Sequence, residues 1–223
     1  MFTGIVETKG IVAASEVRPF GRRLVIDRGA WQPRSGKVGH GDSIAVSGVC
    51  LTVASVEGGH LHFDVITETL NKTSLGHLRV GSGVNLESSL TASTPMGGHF
   101  VQGHVDGLGK VTAVQDRTED WRIRIEVPAD LIDYVVSKGS IAIDGVSMTV
   151  AAVSAAPERW FEVAVIPTTL QITTLGERKP GDPINLETDI VSKTIVGWLR
   201  RVMAGGKEQA VNWALLKDAG FKA

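Results

Sequence analysis

The chain has one cysteine, Cys50, inside the run GVCLTV at 48–53. A thiol between Val49 and Leu51 on a strand is often only a small buried hydrophobe. Its mate in a second copy of the run, GVSMTV at 145–150, is Ser147. A structural cysteine would more often be matched by valine or alanine, so two small polar residues point to a working face. A thiol there can serve as nucleophile or assist proton transfer, given surroundings that raise its thiolate fraction. Ser147 and Thr149 are two apart, so a strand turns both to one face. Their hydroxyls can donate to a ring edge or a leaving group, and Thr52 is the corresponding hydroxyl of the first copy. His99 and His104 stand in GGHFVQGHVDG at 97–107. Their spacing of five is poor for a helix and puts them on opposite faces of a regular strand. Pairing them on zinc would need ligands the chain does not offer, so no metal site is expected. Either histidine can be a plain surface or core residue. Gly98 and Gly103 nonetheless allow close backbone approach, which favours a ligand site. Asp144 opens an Asp-Gly turn, which capping of a backbone N–H would explain. Lys138 precedes a glycine, and a solvated lysine is its ordinary reading.

The elements that position these residues come in two copies. TLNKTSLG at 69–76 returns as TLQITTLG at 169–176, with five of eight positions identical. NLE at 85–87 returns at 185–187, and FTG at 2–4 is answered by VQG at 101–103. Four sites in register are the mark of duplication. The expected domains are 1–97 and 98–188, with a helix at 189–204 and a tail at 205–223. HLHFDVI at 60–66 puts Leu61, Phe63 and Val65 on one face, and WRIRIEV at 121–127 alternates in the same way. Many short strands with glycine at the turns predict an all-β chain of two tandem six-stranded barrels, since closure removes edges. Short helical pieces are expected at 71–77, 171–177 and 130–136, and 29–41 is read as only a longer loop. After Asp189, a good N-cap, Val191, Ile195, Trp198 and Val202 recur at helical spacing, widened by Leu199 and Met203. That stripe fits either the helix's own barrel or, preferably, contact between copies of the chain. The tail can form a second helix through Val211, Leu215 and Leu216.

Composition narrows the partners. There are 23 Lys and Arg against 24 Asp and Glu, a formal charge of −1, so no basic footprint for nucleic acid or an acidic membrane exists. No stretch approaches the ~20 apolar residues that span a bilayer. A lone cysteine and no leader-like start fit a cytoplasmic location.

MFTGIVE at 1–7, GVCLTV, GGHFVQGHVDG and IDGVSMTV at 143–150, in this order on a duplicated frame, resemble the riboflavin synthase family of alpha-chain type. The resemblance runs from Met1 to about Met203. It implies two Greek-key barrels and a homotrimer joined by the C-terminal helices. It also implies dismutation of two 6,7-dimethyl-8-ribityllumazine molecules to riboflavin and 5-amino-6-(ribitylamino)uracil. No metal or bound redox cofactor is implied. The reacting pair would sit between the N-terminal barrel of one subunit and the C-terminal barrel of its neighbour. Association with lumazine synthase belongs to the partners so implied. Cys50, His104, Asp144, Ser147 and Thr149 take the catalytic positions, with His104 and Asp144 moving protons. The ligand-contact positions fall in the first half on Gly4, Ile5, Val6, Ser43, Leu51, Thr52, Asp64, Val65, Ile66, Thr67, Glu68 and Thr69. In the second half they fall on Gly103, Val105, Lys138, Met148, Ala164, Val165, Ile166, Pro167, Thr168 and Thr169. Thr168 departs from the acidic residue or histidine common in the family. Ser47 stands opposite Asp144, which makes the halves chemically unequal. A non-catalytic relative that holds a lumazine or flavin as an optical antenna is the alternative. A two-barrel oxidoreductase on FMN would need an electron-partner motif, and none is seen.

Overall fold

The structure, a computed structural model, describes residues 1–34, 36–115, 121–204 and Lys217. The tail helix expected through Val211, Leu215 and Leu216 lies outside the described residues.

Six strands close the first barrel: β1 (Thr8–Arg18), β2 (Gly21–Asp27), β3 (Ser43–Val46), β4 (Val49–Glu57), β5 (His60–Ile66) and β6 (Gly83–Ser88). All neighbours are antiparallel, in the cyclic order β1-β2-β5-β4-β3-β6. The second barrel repeats that order with β7 (Gly107–Gln115), β8 (Trp121–Glu126), β9 (Ser140–Ile143), β10 (Val146–Val153), β11 (Trp160–Val165) and β12 (Pro183–Thr188). Even the bulges recur. Register shifts between Val12 and Ala14 and between Val53 and Ser55 are matched at Val111/Ala113 and Val150/Ala152. Such bulges supply the curvature that closes a small barrel. The inward residues of the alternating strands fill each interior: Leu24, Ile26, Leu61 and Phe63 in one, Ile123, Ile125, Phe161 and Val163 in the other. Each contributes roughly 1.5–3 kcal/mol by leaving water.

The 29–41 segment is more than a longer loop. Trp31 enters the first core, and its Nε1–H donates to Glu7 at 3.1 Å. In the second barrel Leu131 and Val135 join the core around a single 3-10 turn, Ile132–Tyr134, where a helix was expected. The helical pieces after β5 and β11 begin earlier than their sequence suggests: α1 is Thr67–Lys72 and α2 is Pro167–Ile172, each followed by a 3-10 turn. The strongest repeat therefore marks structure. Thr73 donates to the Thr69 carbonyl at 2.7 Å and accepts from Leu75 N–H, and Thr173 does the same with Thr169 and Leu175. Leu75 and Leu175 enter the cores.

The two barrels exchange their leading segments. Phe2 bridges Val101 where the segments cross. Beyond the crossing Val6 joins the second core, whereas Val105 packs on the first. A division at 97/98 thus leaves each barrel without the segment that covers it. Between the barrels, Asn85 Oδ1 accepts from Thr174 N–H and Asn185 Oδ1 from Ser74 N–H. Their Nδ2 groups donate to the Asp144 and Ser47 carbonyls. The hairpin turns meet head to head: a Cβ on Gly48 would fall 2.6 Å from Gly145 N, and one on Gly145 2.7 Å from Gly48 N.

The last helix, α3, is Ile190–Ala204, and Asp189 accepts from Val191 N–H as its cap. Its polar side faces its own barrel through Lys193–Asp106 (2.8 Å) and Arg200 to Asp133 and Tyr134. The apolar stripe from Val191 to Met203 is exposed, with Trp198 54% accessible. The reading of a stripe lying on its own barrel does not describe this chain. No described helix is long and apolar enough to cross a membrane.

Candidate active site

Both sites lie outside the barrels, under the exchanged segments. On the first barrel a cleft of about 210 Å³ is lined by residues of β4, α1 and the second copy's leading segment, among them Cys50, Glu68, Thr69, Lys72, Gly103 and His104. Alternation along β4 buries Val49, Leu51 and Val53 and turns Cys50 and Thr52 outward. Cys50 N–H donates to the Gly103 carbonyl at 2.8 Å. Only glycine fits there: Gly103 has φ +81°, and a Cβ on it would lie 2.6 Å from Cys50 Cβ. His104 follows, exposed at the cleft. Lys72 bonds Glu68 at 2.9 Å and holds that carboxyl below its usual range. On β5, both Asp64 oxygens accept from Arg23 at 2.8 Å, and that bonding lowers its carboxyl.

The second site has the same frame with different chemistry. Ser147 N–H donates to the Gly4 carbonyl at 2.7 Å, and Thr149 is exposed beside it on β10. Ile5 stands where His104 stands, Ile172 where Lys72 stands, and Thr168 where Glu68 stands. In place of those charges comes His99, whose Nδ1 shares a 2.7 Å hydrogen bond with Ser147 Oγ. Its N–H donates to the Thr3 carbonyl. Burial depresses the His99 imidazole below its ordinary 6.5, against a smaller upward pull from Asp189. The unfolded chain therefore binds more protons than the native one below pH 6.5. The stability from neutral His99 is complete above that pH and is lost as pH falls toward the depressed native value. Urea midpoints of His99→Asn should fall less between pH 7 and 5 than those of the parent; an unchanged slope would contradict this.

The expected catalytic set thus divides. Cys50 and His104 meet on the first barrel, and Ser147 and Thr149 lie on the second. Asp144 reaches neither surface. It is 0% exposed in the seam between barrels, where Arg178 donates to Oδ2 at 2.5 Å and Asn185 N–H to Oδ1 at 2.9 Å. Burial pushes its carboxyl up, and Arg178 and the N–H pull against that. The structure thus puts Asp144, expected as a proton carrier, in the seam between the barrels and not on either site's open face. The side chains of Leu51, Met148, Val65, Val165 and Val6 point into the cores, so only their main chain can face a ligand. Ser43 is half-buried at the end of β3, beside Thr52 in register. Ile66 and Ile166 are exposed at the strand ends, and residues 67–69 and 167–169 form helical turns rather than strand. Ala164 lies exposed on β11, across from Arg122. Lys138 is exposed and held at φ +65°, where the first half has Gly41. Its N–H donates to Val150 as Gly41 N–H does to Val53.

Four features escaped the reading of residues. His99 is read from sequence only as a residue beside a ligand-favouring glycine, with no bond to Ser147 foreseen, and Trp31, Arg178 and the paired glutamates Glu87 and Glu187 are not singled out by sequence. The NLE repeat was the signal for the glutamates.

The lumazine binding domain model matches residues 3–89 and 102–189. Over 202 residues the chain is 48% identical to riboflavin synthase of Mycobacterium tuberculosis (strain ATCC 25618 / H37Rv), covering 90% of this chain and 98% of that one. It is 40% identical over 221 residues to riboflavin synthase of Actinobacillus pleuropneumoniae, covering 99% of this chain and all of the other. Among solved structures, LumP complexed with riboflavin superposes with a TM-score of 0.76 at 29% identity, over 84% of this chain and 99% of that one. LumP complexed with 6,7-dimethyl-8-(1'-D-ribityl) lumazine gives 0.75 at 28% identity, with the same shares of the two chains. Two closed barrels, exchanged segments over two matching but unequal sites, and kinship along nearly the whole length have one reading: the chain belongs to the riboflavin synthase family, with the lumazine-binding domain used twice.

Proposed function

We propose that the chain dismutates two molecules of 6,7-dimethyl-8-ribityllumazine. One donates a four-carbon unit and leaves as 5-amino-6-(ribitylamino)uracil, and the other becomes riboflavin. Atoms and electrons balance between the two rings, so no outside oxidant is consumed. The observation that carries this reading is the pair of matching sites with one frame and unequal chemistry: a cleft holding Cys50 and His104 on one barrel, and Ser147 hydrogen-bonded to His99 on the other. Two identical molecules with opposite roles call for such a pair.

Holding two rings against each other makes their encounter effectively unimolecular, which contributes up to about 7–11 kcal/mol. One ring loses a proton from its C7 methyl to give a carbanion delocalised over the heterocycle, and His104 takes that proton in this reading. The other ring accepts a nucleophile at C7: water, a ribityl hydroxyl or the Cys50 thiolate. Ser147 and Thr149 donate to charge developing on the second heterocycle. The exposed apolar face of α3 supports assembly into a homotrimer, in which the clefts of neighbouring chains face each other. Lys138 and the main chain at 64–66 and 164–166 would hold the ligand's polar edge. A cytoplasmic location and contact with lumazine synthase accord with this role.

The test is incubation of the full chain with the dimethyl-ribityl-lumazine alone. Expected is riboflavin with two substrates consumed per product and the aminouracil released. Tight binding without conversion would instead make the chain an antenna-type carrier.

A further inference from the structure

Glu87 and Glu187 are buried carboxylates at matching positions of β6 and β12. Neither pairs with a cation at salt-bridge distance among the described residues. Each binds main-chain N–H groups of a leading segment. Glu187 Oε1 accepts from Gln102 N–H at 2.6 Å, and its Oε2 from Gly103 and His104 N–H at 2.9 and 3.0 Å. Glu87 Oε1 accepts from Thr3 N–H at 2.6 Å and its hydroxyl at 2.7 Å, and Oε2 from Gly4 N–H at 3.0 Å. Carboxylates accepting several N–H bonds make strong, charge-assisted contacts that fix a backbone. Each segment is fastened again further on: Ser88 N–H donates to Glu7, and Thr188 N–H to Asp106.

The direction of these bonds matters. Glu187 belongs to the second barrel, yet the segment it grips carries Gly103 and His104 over Cys50 of the first. Glu87 belongs to the first barrel, yet it grips the segment whose Gly4 carbonyl receives Ser147 N–H of the second. We propose that Glu187 and Glu87 are positioning residues wired crosswise, each barrel's glutamate setting the cover of the other barrel's cleft. Loss of Glu187 loosens the Cys50–His104 cleft, and loss of Glu87 loosens the Ser147 cleft. The two clefts are thereby tuned by separate residues, each remote in sequence from the cleft it controls.

The inference builds on the reading of these clefts as ligand sites, but its test does not need that reading. Cys50 is the only cysteine, so its rate of reaction with an aromatic disulfide reagent reports the first cleft alone. A Cys50→Ser, Ser147→Cys chain moves the reporter to the second. In the parent frame Glu187→Gln should raise the thiol rate about tenfold or more, as expected when charge-assisted bonds are lost, with Glu87→Gln within about twofold of the parent. In the transposed frame the order should reverse. Equal acceleration by both variants, or acceleration of the cysteine in the glutamate's own barrel, overturns the proposal. Should Glu187→Gln not fold, Glu187→Asp keeps the charge but shortens the reach, and amide exchange at Gln102, Gly103 and His104 replaces the thiol readout. Faster exchange there, with Thr3 and Gly4 unchanged, upholds it, and uniform exchange sinks it. Riboflavin formation by the parent is measured separately, so a chain without turnover can still show crosswise wiring.

Discussion

Replacing His104 by Gln is expected to lower kcat by roughly 10²–10⁴-fold, the ordinary range for a lost acid-base group, with lumazine affinity nearly unchanged. The imidazole stands exposed at the Cys50 cleft, on a main chain fixed by the Glu187 bond and by Gly103 against β4. Glutamine retains a polar side chain of similar reach but cannot cycle a proton near neutral pH. The loss should therefore fall on turnover. Steady-state rates with equilibrium fluorescence titration of the lumazine separate the two. Parallel loss of kcat and affinity would make His104 a binding residue only.

The second large effect concerns stability. Asp144→Ala should cost about 3–5 kcal/mol, the range for removing one member of a buried ion pair, because Arg178 then remains in the seam with its charge uncompensated. The other half of the molecule suggests the remedy. There Ser47 and Leu78 hold the positions of Asp144 and Arg178. Combining Asp144→Ser with Arg178→Leu copies that uncharged solution and should regain most of the loss. Urea unfolding of the parent and these two variants decides it. A mild effect of Asp144→Ala would show that the seam does not depend on this pair.

These outcomes bear on what a sequence can disclose. The barrels were legible because alternation in stretches such as HLHFDVI follows from which face meets the core, and because the duplication doubled each weak signal. Outward placement of Cys50 and Thr52 followed from the same alternation. The exchange of leading segments was not legible, since nothing in FTG or VQG says which barrel they cover. That depends on glutamates more than 80 positions away. The seam position of Asp144 was not legible either: an Asp-Gly turn with a capping carboxylate reads the same at a surface and in a seam, the proton-transfer role came only from the family resemblance, and Arg178, 34 positions on, is what marks the seam. Trp31 was obscured by a loop rich in glycine, and a single aromatic carries no period. The unequal halves were legible, but their inequality sits at Ile5, Thr168, Ile172 and His99 as much as at Ser47.

The most direct test of paired clefts from neighbouring chains is complementation. One chain carries His104→Gln, and the other Ser147→Ala with Thr149→Val. Each alone should be nearly inactive in forming riboflavin. Co-assembled, they leave some interfaces where an intact first cleft meets an intact second cleft, and activity well above the sum of the separate variants is expected. If the mixed assembly forms but is no more active than that sum, the lumazine pair is not held between chains.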